Sequence, residues 1–165
     1  MVIRAVAKLA DTMPDLHYAI VGGGAERESL EHLAKDLKVE DRIEFAGEID
    51  DSQLRHYHQH CDIFLLANRT IGRDVEGFGI VLLEAQACGK PVIAGASGGT
   101  IDTMIPGKSG YIVDCDTPAG LVHVIKSKLS SKDRRSEMGQ IGREHVVSNF
   151  AVSYTHLTLP TIYSV

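Results

Sequence analysis

Apolar and polar positions follow two rhythms along this chain. Five short apolar runs, HYAIVGG, RIEFAGEI, DIFLLA, KPVIAGA and GYIVD, are bounded by glycine, aspartate or asparagine, as buried parallel strands tend to be. Between them lie helix-like stretches: AERESLEHLAKDLKV, DDSQLRHYHQHC, GIVLLEAQACG and GGTIDTMI. The first of these is amphipathic through Leu30, Leu33, Ala34 and Leu37. TPAGLVHVIKSKLS and KDRRSEMGQIGREHVVSNF close the pattern, with Thr117 placed to cap a helix whose first residue is Pro118. Repeated strand–helix alternation predicts an α/β fold: a Rossmann-like, doubly wound parallel sheet with helices on both faces.

Both ends depart from that pattern. The chain opens on a helix, IRAVAKLADTMPDL, with no strand before it. The first strand of a doubly wound sheet is usually central, so its absence predicts a gap within the sheet rather than a trimmed edge. Residues 1–150 read as one partial domain. The tail, residues 151–165, loses helical periodicity and contains Pro160, and it reads as lying outside that domain; a frayed tail or short edge strand is the alternative.

Composition narrows the class. The 165 residues carry a net charge of −5, which gives no sign of nucleic-acid binding. No apolar run reaches the length of a membrane span, and the N-terminus lacks the apolar stretch of a signal peptide. Three scattered cysteines, Cys61, Cys88 and Cys115, suit a reduced, cytoplasmic protein.

Several motifs invite chemistry. In DVEGFGIVLLEAQACGKPV, Glu84 is the only charge in a helix that is apolar on nearly every side. An ionised carboxylate is costly there unless something donates hydrogen bonds to it. Glu76 precedes it by seven intervening residues and falls on the loop at a strand's carboxyl end, where open α/β sheets bind ligands. Gly77 and Gly79 would let helix N-terminal amides approach an anion such as a diphosphate, and Glu84 would then meet hydroxyls such as those of a ribose. The alternative is that Glu84 meets a nearby lysine or backbone donors and Glu76 is a solvated loop acid. VGGGAERESL resembles a phosphate turn but has Arg27 where G-x-G-x-x-G needs glycine, so a tight turn near the start of a helix is favoured over a nicotinamide-dependent dehydrogenase. His56 and His60 would share a helix face while His58 points away, and no carboxylate completes a ligand spacing; a polar helix face is favoured and no metal site is expected. The pair Gly98-Gly99 would be a second wall of backbone donors, and Cys88 a small core residue.

Taken together, AIVGGG, RIEFAGEID, CDIFLLAN, DVEGFGIVLLEAQACGKPVIAGASGG and PGKSGYIVD resemble the C-terminal, donor-binding half of a GT-B glycosyltransferase. The likeness is to the large retaining family that includes bacterial mannosyltransferases, sucrose synthase and glycogen synthase, and within it to the phosphatidylinositol mannosyltransferases. Glu76 through Val92 match every fixed position of its hallmark, E-G-F-G-x-x-x-x-E-A-x-A-x-G-x-P-V.

The resemblance implies that Glu76 binds hydroxyls of the transferred sugar and that Glu84 binds the ribose of a nucleotide-diphosphate sugar, GDP- or UDP-linked. It implies that Gly77, Phe78, Gly79 and Ile80 offer amides to the sugar and distal phosphate, that Gly47 and Ile49 contact the base, and that no metal or other cofactor is needed. Such a hexosyltransferase would be cytoplasmic, peripheral to the membrane in its full-length form. Two departures accompany the likeness. The family's G-R-x-x-x-x-K-G segment has no match here, since Arg4 and Lys8 lie on the opening helix, and the N-terminal acceptor domain is missing. The expectation is a donor-binding part that does not transfer sugar alone; the rival is a non-catalytic nucleotide-binding or interaction module. Exposed strand edges would offer a route to pairing between chains.

Overall fold

The computed structural model describes residues 1–68, 79–96 and 98–150. The expectations for Glu76, Gly77 and Phe78, and for the tail 151–165, lie outside the described residues.

The five apolar runs form five parallel strands: β1 (Tyr18–Val21), β2 (Ile43–Gly47), β3 (Phe64–Leu66), β4 (Val92–Gly95) and β5 (Gly110–Val113). Six helices accompany them: α1 (Val2–Leu9), α2 (Arg27–Asp36), α3 (Asp51–His60), α4 (Ile80–Ala87), α5 (Pro118–Lys128) and α6 (Lys132–Phe150). The strands fall into two groups, β1 paired with β2, and β3-β4-β5 with β4 central. The gap expected within the sheet falls between these groups, with no strand pairing between β1 and β3 among the described residues.

Alternate residues of each strand serve opposite layers, as the strand period of two requires. In β3 and β4, Leu65 and Ile93 face a cluster built with α1 and α5 through Val2, Ala5, Leu9, Leu121 and Val124. Phe64, Leu66, Val92 and Ala94 face the other side, against Leu82 and Ala85 of α4. The helices thus lie on both faces. On the β1-β2 side, Ile3 and Val6 of α1 meet Ala34, Val39 and Ile43, with Leu30, Leu33 and Leu37 at the margin. Since α1 contributes Val2, Ala5 and Leu9 to one cluster and Ile3 and Val6 to another, it fastens the two strand groups together.

Three local readings need correction. The opening helix stops at Leu9, where Thr12 and Met13 amides turn back onto the Leu9 carbonyl, instead of continuing to Leu16. GGTIDTMI forms only a 3₁₀ turn, Gly98–Thr103, held by the Thr100 hydroxyl donating to the Gly95 carbonyl at 2.9 Å and the Thr103 hydroxyl donating to the Thr100 carbonyl at 2.7 Å. Such local hydroxyl bonds compete with a regular helix. Thr117 stands before Pro118 at the start of α5, but its side chain makes no capping bond.

The cap that does form is at α3. Asp50 accepts from the amides of Ser52 and Gln53, at 2.8 and 2.9 Å, and Gln53 Oε1 accepts from the Asp50 amide at 3.1 Å. This reciprocal pairing satisfies donors that a helix start leaves open. Asp50→Ala is expected to destabilise the chain by removing this cap, read as a lower urea midpoint with an unchanged slope.

Candidate functional site

The carboxyl ends of β2, β3 and β4 lead into α3, the segment before α4, and the 3₁₀ turn, so the starts of α3 and α4 gather at one edge of the fold. That is the edge where open α/β sheets receive ligands.

α4 begins at Gly79, whose φ of 69° is left-handed. A side chain at Gly79 would be strained by that angle and would press on Leu82 Cδ1 at 3.1 Å and Thr100 Cγ2 at 3.4 Å. No side chain caps the helix there, and Ile80 stands exposed. The first-turn amides, which a helix start leaves without internal partners, carry the positive end of the helix dipole. Below them Leu82, Leu83 and Ala85 are buried, and Leu82 and Ala85 anchor the helix on β3 and β4.

Glu84 sits one turn inside α4 and is half-buried. Among the described residues it forms no ion pair and accepts no hydrogen bond, so the lysine-paired alternative finds no support there. Burial holds its carboxyl above the ordinary carboxylate range, and the charge of Asp51, in the first turn of α3, pushes in the same direction. A carboxylate beside another acid and without a cation is electrostatically underserved. It is a group prepared to accept hydrogen bonds from neutral donors.

Gly47 ends β2, and Ile49 lies between β2 and α3. Gly47 has a φ of 71°, and its carbonyl accepts the Gly22 amide at 2.8 Å, which joins this turn to the glycine-rich turn after β1. Ile49 is half-buried, just before the Asp50 cap. Gly79, Ile80 and Glu84 are thus brought together on one helix, and Gly47 and Ile49 stand together at the end of β2.

The glycine-rich turn itself is structural. Gly22 and Gly24 take φ of 119° and 155°, and α2 begins only at Arg27. Arg27 pairs with Glu31 at 2.8 Å, donates to the Phe45 carbonyl at 3.3 Å and lies 5.7 Å from the Phe45 ring centre. Arg27, where the dinucleotide pattern needs glycine, thus braces β2.

Two polar residues escaped the sequence reading. Gln86 is fully buried: its amide donates to the carbonyls of Leu82 at 3.2 Å and Thr103 at 2.7 Å, and its oxygen accepts the Ser109 hydroxyl at 2.9 Å. Asn68, also buried, accepts the Gly95 amide at 2.9 Å and so ties the end of β3 to the end of β4. Both hold the segments around the start of α4. The available signal was a lone amide in an otherwise apolar run, since buried amides must be satisfied.

His56 and His60 share a face and stack at 4.0 Å, as their spacing requires. His58 points away from that face: it is buried, edge-on to Phe64 at 5.2 Å, and burial lowers its basicity. Among the described residues no group of three or more metal-binding side chains assembles. Cys88 caps the end of α4 and is only half-buried, with burial raising its thiol. Among the described residues, no helix is long and apolar enough to cross a membrane.

Known proteins place this architecture. The family described as Glycosyl transferases group 1 matches residues 1–145. A GDP-mannose-dependent alpha-(1-6)-phosphatidylinositol monomannoside mannosyltransferase of Mycolicibacterium smegmatis is 40% identical over 152 residues, covering 91% of this chain and 40% of the relative. The GDP-mannose-dependent monoacylated alpha-(1-6)-phosphatidylinositol monomannoside mannosyltransferase of Corynebacterium glutamicum is 38% identical over 151 residues, covering 90% and 39%. The chain therefore spans about 40% of the length of these curated relatives. Among solved structures, sucrose-phosphate synthase from Thermosynechococcus elongatus superposes with a TM-score of 0.74 at 30% identity, over 90% of this chain and 38% of that one. Anabaena HepE in complex with UDP and glucose has a TM-score of 0.76 at 22% identity, over 93% and 41%, a likeness of fold alone. By the match across residues 1–145, the chain belongs to the group 1 glycosyl transferases.

Proposed function

We propose that the chain is the donor-binding part of a retaining glycosyltransferase and that it takes a nucleotide-diphosphate sugar at the start of α4. The observation that carries this reading is Glu84: a half-buried carboxylate next to an acid, without a cationic partner among the described residues, one turn below uncapped helix amides. Ribose hydroxyls would supply the neutral donors it lacks, while the diphosphate would take the amides of Gly79 and Ile80. Glu76, eight residues earlier, would hold the transferred sugar, with Gly77 and Phe78 adding amides to the same anion; Gly47 and Ile49 would border the base. The reading is supported by the helix geometry, by the hallmark spacing in the sequence and by the names of the relatives, two of which are GDP-mannose-dependent.

As an electrophilic sugar carbon loses its nucleoside diphosphate, negative charge grows on the departing phosphate. Fixed amides aimed at that charge are among the largest contributions a protein can make. The acceptor would be gripped by a further domain, so the 165-residue chain would bind donor with negligible turnover.

Titration with GDP-mannose and, separately, UDP-glucose tests this by amide NMR. The expected result is that the Gly79–Val81 amides shift saturably with one of the two, while β5 stays unmoved. Shifts confined to the Gly22–Gly24 turn, or none with either nucleotide sugar, would remove the reading.

A further inference from the structure

Buried polar side chains follow one another behind the start of α4. Asn68 accepts the Gly95 amide, the Gly95 carbonyl accepts the Thr100 hydroxyl, and the Thr100 carbonyl accepts the Thr103 hydroxyl. The Thr103 carbonyl then accepts the Gln86 amide, and the Gln86 oxygen accepts the Ser109 hydroxyl. Thr100, Thr103, Gln86 and Ser109 are completely buried. The bonds run from the end of β3, across the end of β4 and the 3₁₀ turn, into α4. A satisfied buried network of this kind rigidifies the segments it joins.

Thr100 does more than bond. Its Cγ2 methyl lies 3.4 Å from where a carbon on Gly79 would stand, and Leu82 Cδ1 lies 3.1 Å from the same point. The left-handed start of α4 thus rests against these two side chains. Threonine carries two heavy atoms on its Cβ, so fixing one of them fixes the other. The hydroxyl is held on the Gly95 carbonyl at 2.9 Å, and that bond aims the methyl at Gly79. The 3₁₀ turn meets α4 again near the helix's other end, where Gln86 donates to the Thr103 carbonyl at 2.7 Å. Sliding α4 along the sheet would break the bond at one end or lose the contact at the other.

We propose that Thr100 is a positioning residue for the phosphate end of the donor site: its methyl supports the Gly79 turn and so sets where the first amides of α4 point. The inference rests on the donor reading given above and adds to it a residue that meets no ligand. Thr100 is fully buried, so it acts through Gly79 and Ile80. Ribose and base would be held by other groups, Glu84 one turn further along and Gly47 with Ile49 beside the end of β2. The two branches of the Thr100 side chain therefore carry separable effects. Oγ1 serves stability through the Gly95 carbonyl; Cγ2 serves phosphate affinity through the helix start. Donors that are fixed in advance bind well only while they stay in place, and a small displacement is costly.

Calorimetric titration of the full chain with GDP-mannose and UDP-glucose selects the nucleotide. Its nucleoside and its nucleoside diphosphate then report the phosphate contribution as a ratio of affinities. Thr100→Ser keeps the hydroxyl and removes the methyl; Thr100→Val keeps both branches and removes the bond to the buried Gly95 carbonyl, a loss that costs stability. The expected result is that Thr100→Ser lowers the diphosphate-to-nucleoside ratio roughly tenfold, while nucleoside affinity holds and the melting temperature falls less than in Thr100→Val. Thr100→Val is expected to keep the ratio and lose stability, and should it fail to fold, Thr100→Ser decides alone. An unchanged ratio in Thr100→Ser, a parallel loss of nucleoside and diphosphate binding, or affinity losses that follow the melting temperature across both variants would overturn the proposal and leave donor binding standing. A parent chain that binds neither donor, or binds the nucleoside as tightly as its diphosphate, would remove the donor reading and this inference with it.

Discussion

Replacing Glu84 with alanine is expected to weaken nucleotide-sugar binding roughly tenfold to hundredfold, the loss of charged hydrogen bonds together worth ~1.5–3 kcal/mol. The fold should survive it. In the donor-free chain this carboxylate has no cation beside it among the described residues, and its charge is opposed by burial and by Asp51. Calorimetric titration of the parent and of Glu84→Ala, with matched melting curves, separates the two effects. Equal affinity for the donor in both proteins would sink the assignment of Glu84 to the sugar nucleotide.

The same side chain gives a pH signature whose sign can be worked out. A carboxyl with a raised folded value keeps its proton in the folded chain at a pH where the unfolded chain has lost it. Stability from this group therefore falls as pH rises from the ordinary carboxylate value through the raised one. Hydroxyl donors favour the ionised form, so donor affinity should increase across that same window, with proton release on binding. Calorimetry in buffers of different ionisation enthalpy reads the released proton directly. Glu84→Gln should abolish both trends.

The largest stability loss is expected at a glycine. Gly139 of α6 faces the turn that ends α4, and a side chain there would collide with the Gly89 carbonyl and crowd the Lys90 amide at 3.3 Å. Gly142, one turn further on, rests on Gln86, whose Cγ and Oε1 would each lie 3.1 Å from an added carbon. These two small residues let α6 approach α4 closely enough to bury Gln86 completely. Backbone cannot yield as a flexible side chain can, so Gly139→Ala should cost about 3 kcal/mol or more. Gly120→Ala is the control: on α5 its nearest neighbours would stand at 3.7 Å or beyond, an ordinary contact. There the change should be neutral or stabilising by up to ~1 kcal/mol, since alanine restricts the unfolded chain and suits a helix. Urea midpoints of the two variants, measured side by side, check the contrast. A Gly139→Ala protein as stable as its parent would mean that α6 does not pack on α4 as described.

The reading of parallel α/β architecture came from period and punctuation. All five strands lie within the apolar runs that suggested them, because a short apolar run between glycines has few ways to bury itself except between neighbouring strands. The start of α5 was legible at Pro118, although Thr117 makes no capping bond. Asp50 and Gln53 close α3 by local bonds, whereas the 3₁₀ turn at Gly98–Thr103 depends on Thr100 reaching the Gly95 carbonyl, a bond that exists only once β4 is in place. His58 points away from His56 and His60 as its spacing requires, but whether that direction meets solvent or Phe64 depends on where β3 lies.

The candidate site divides in the same way. Sequence alone determined that a glutamate would sit in an apolar helix behind glycines, and that its spacing from Glu76 matches a family hallmark, since spacing and residue type are local properties. Only the folded chain decided that Gly79 starts the helix in a left-handed turn, that Asp51 stands near Glu84 with no cation paired to it among the described residues, and that Gln86 and Asn68 brace the surrounding segments. Those are contacts between residues distant in the chain, and their existence depends on how α3, α4, β3 and β4 pack. Hydrophobic period assigns each residue to a face, but which strands become neighbours is settled by how helices such as α1 cover more than one of them at once.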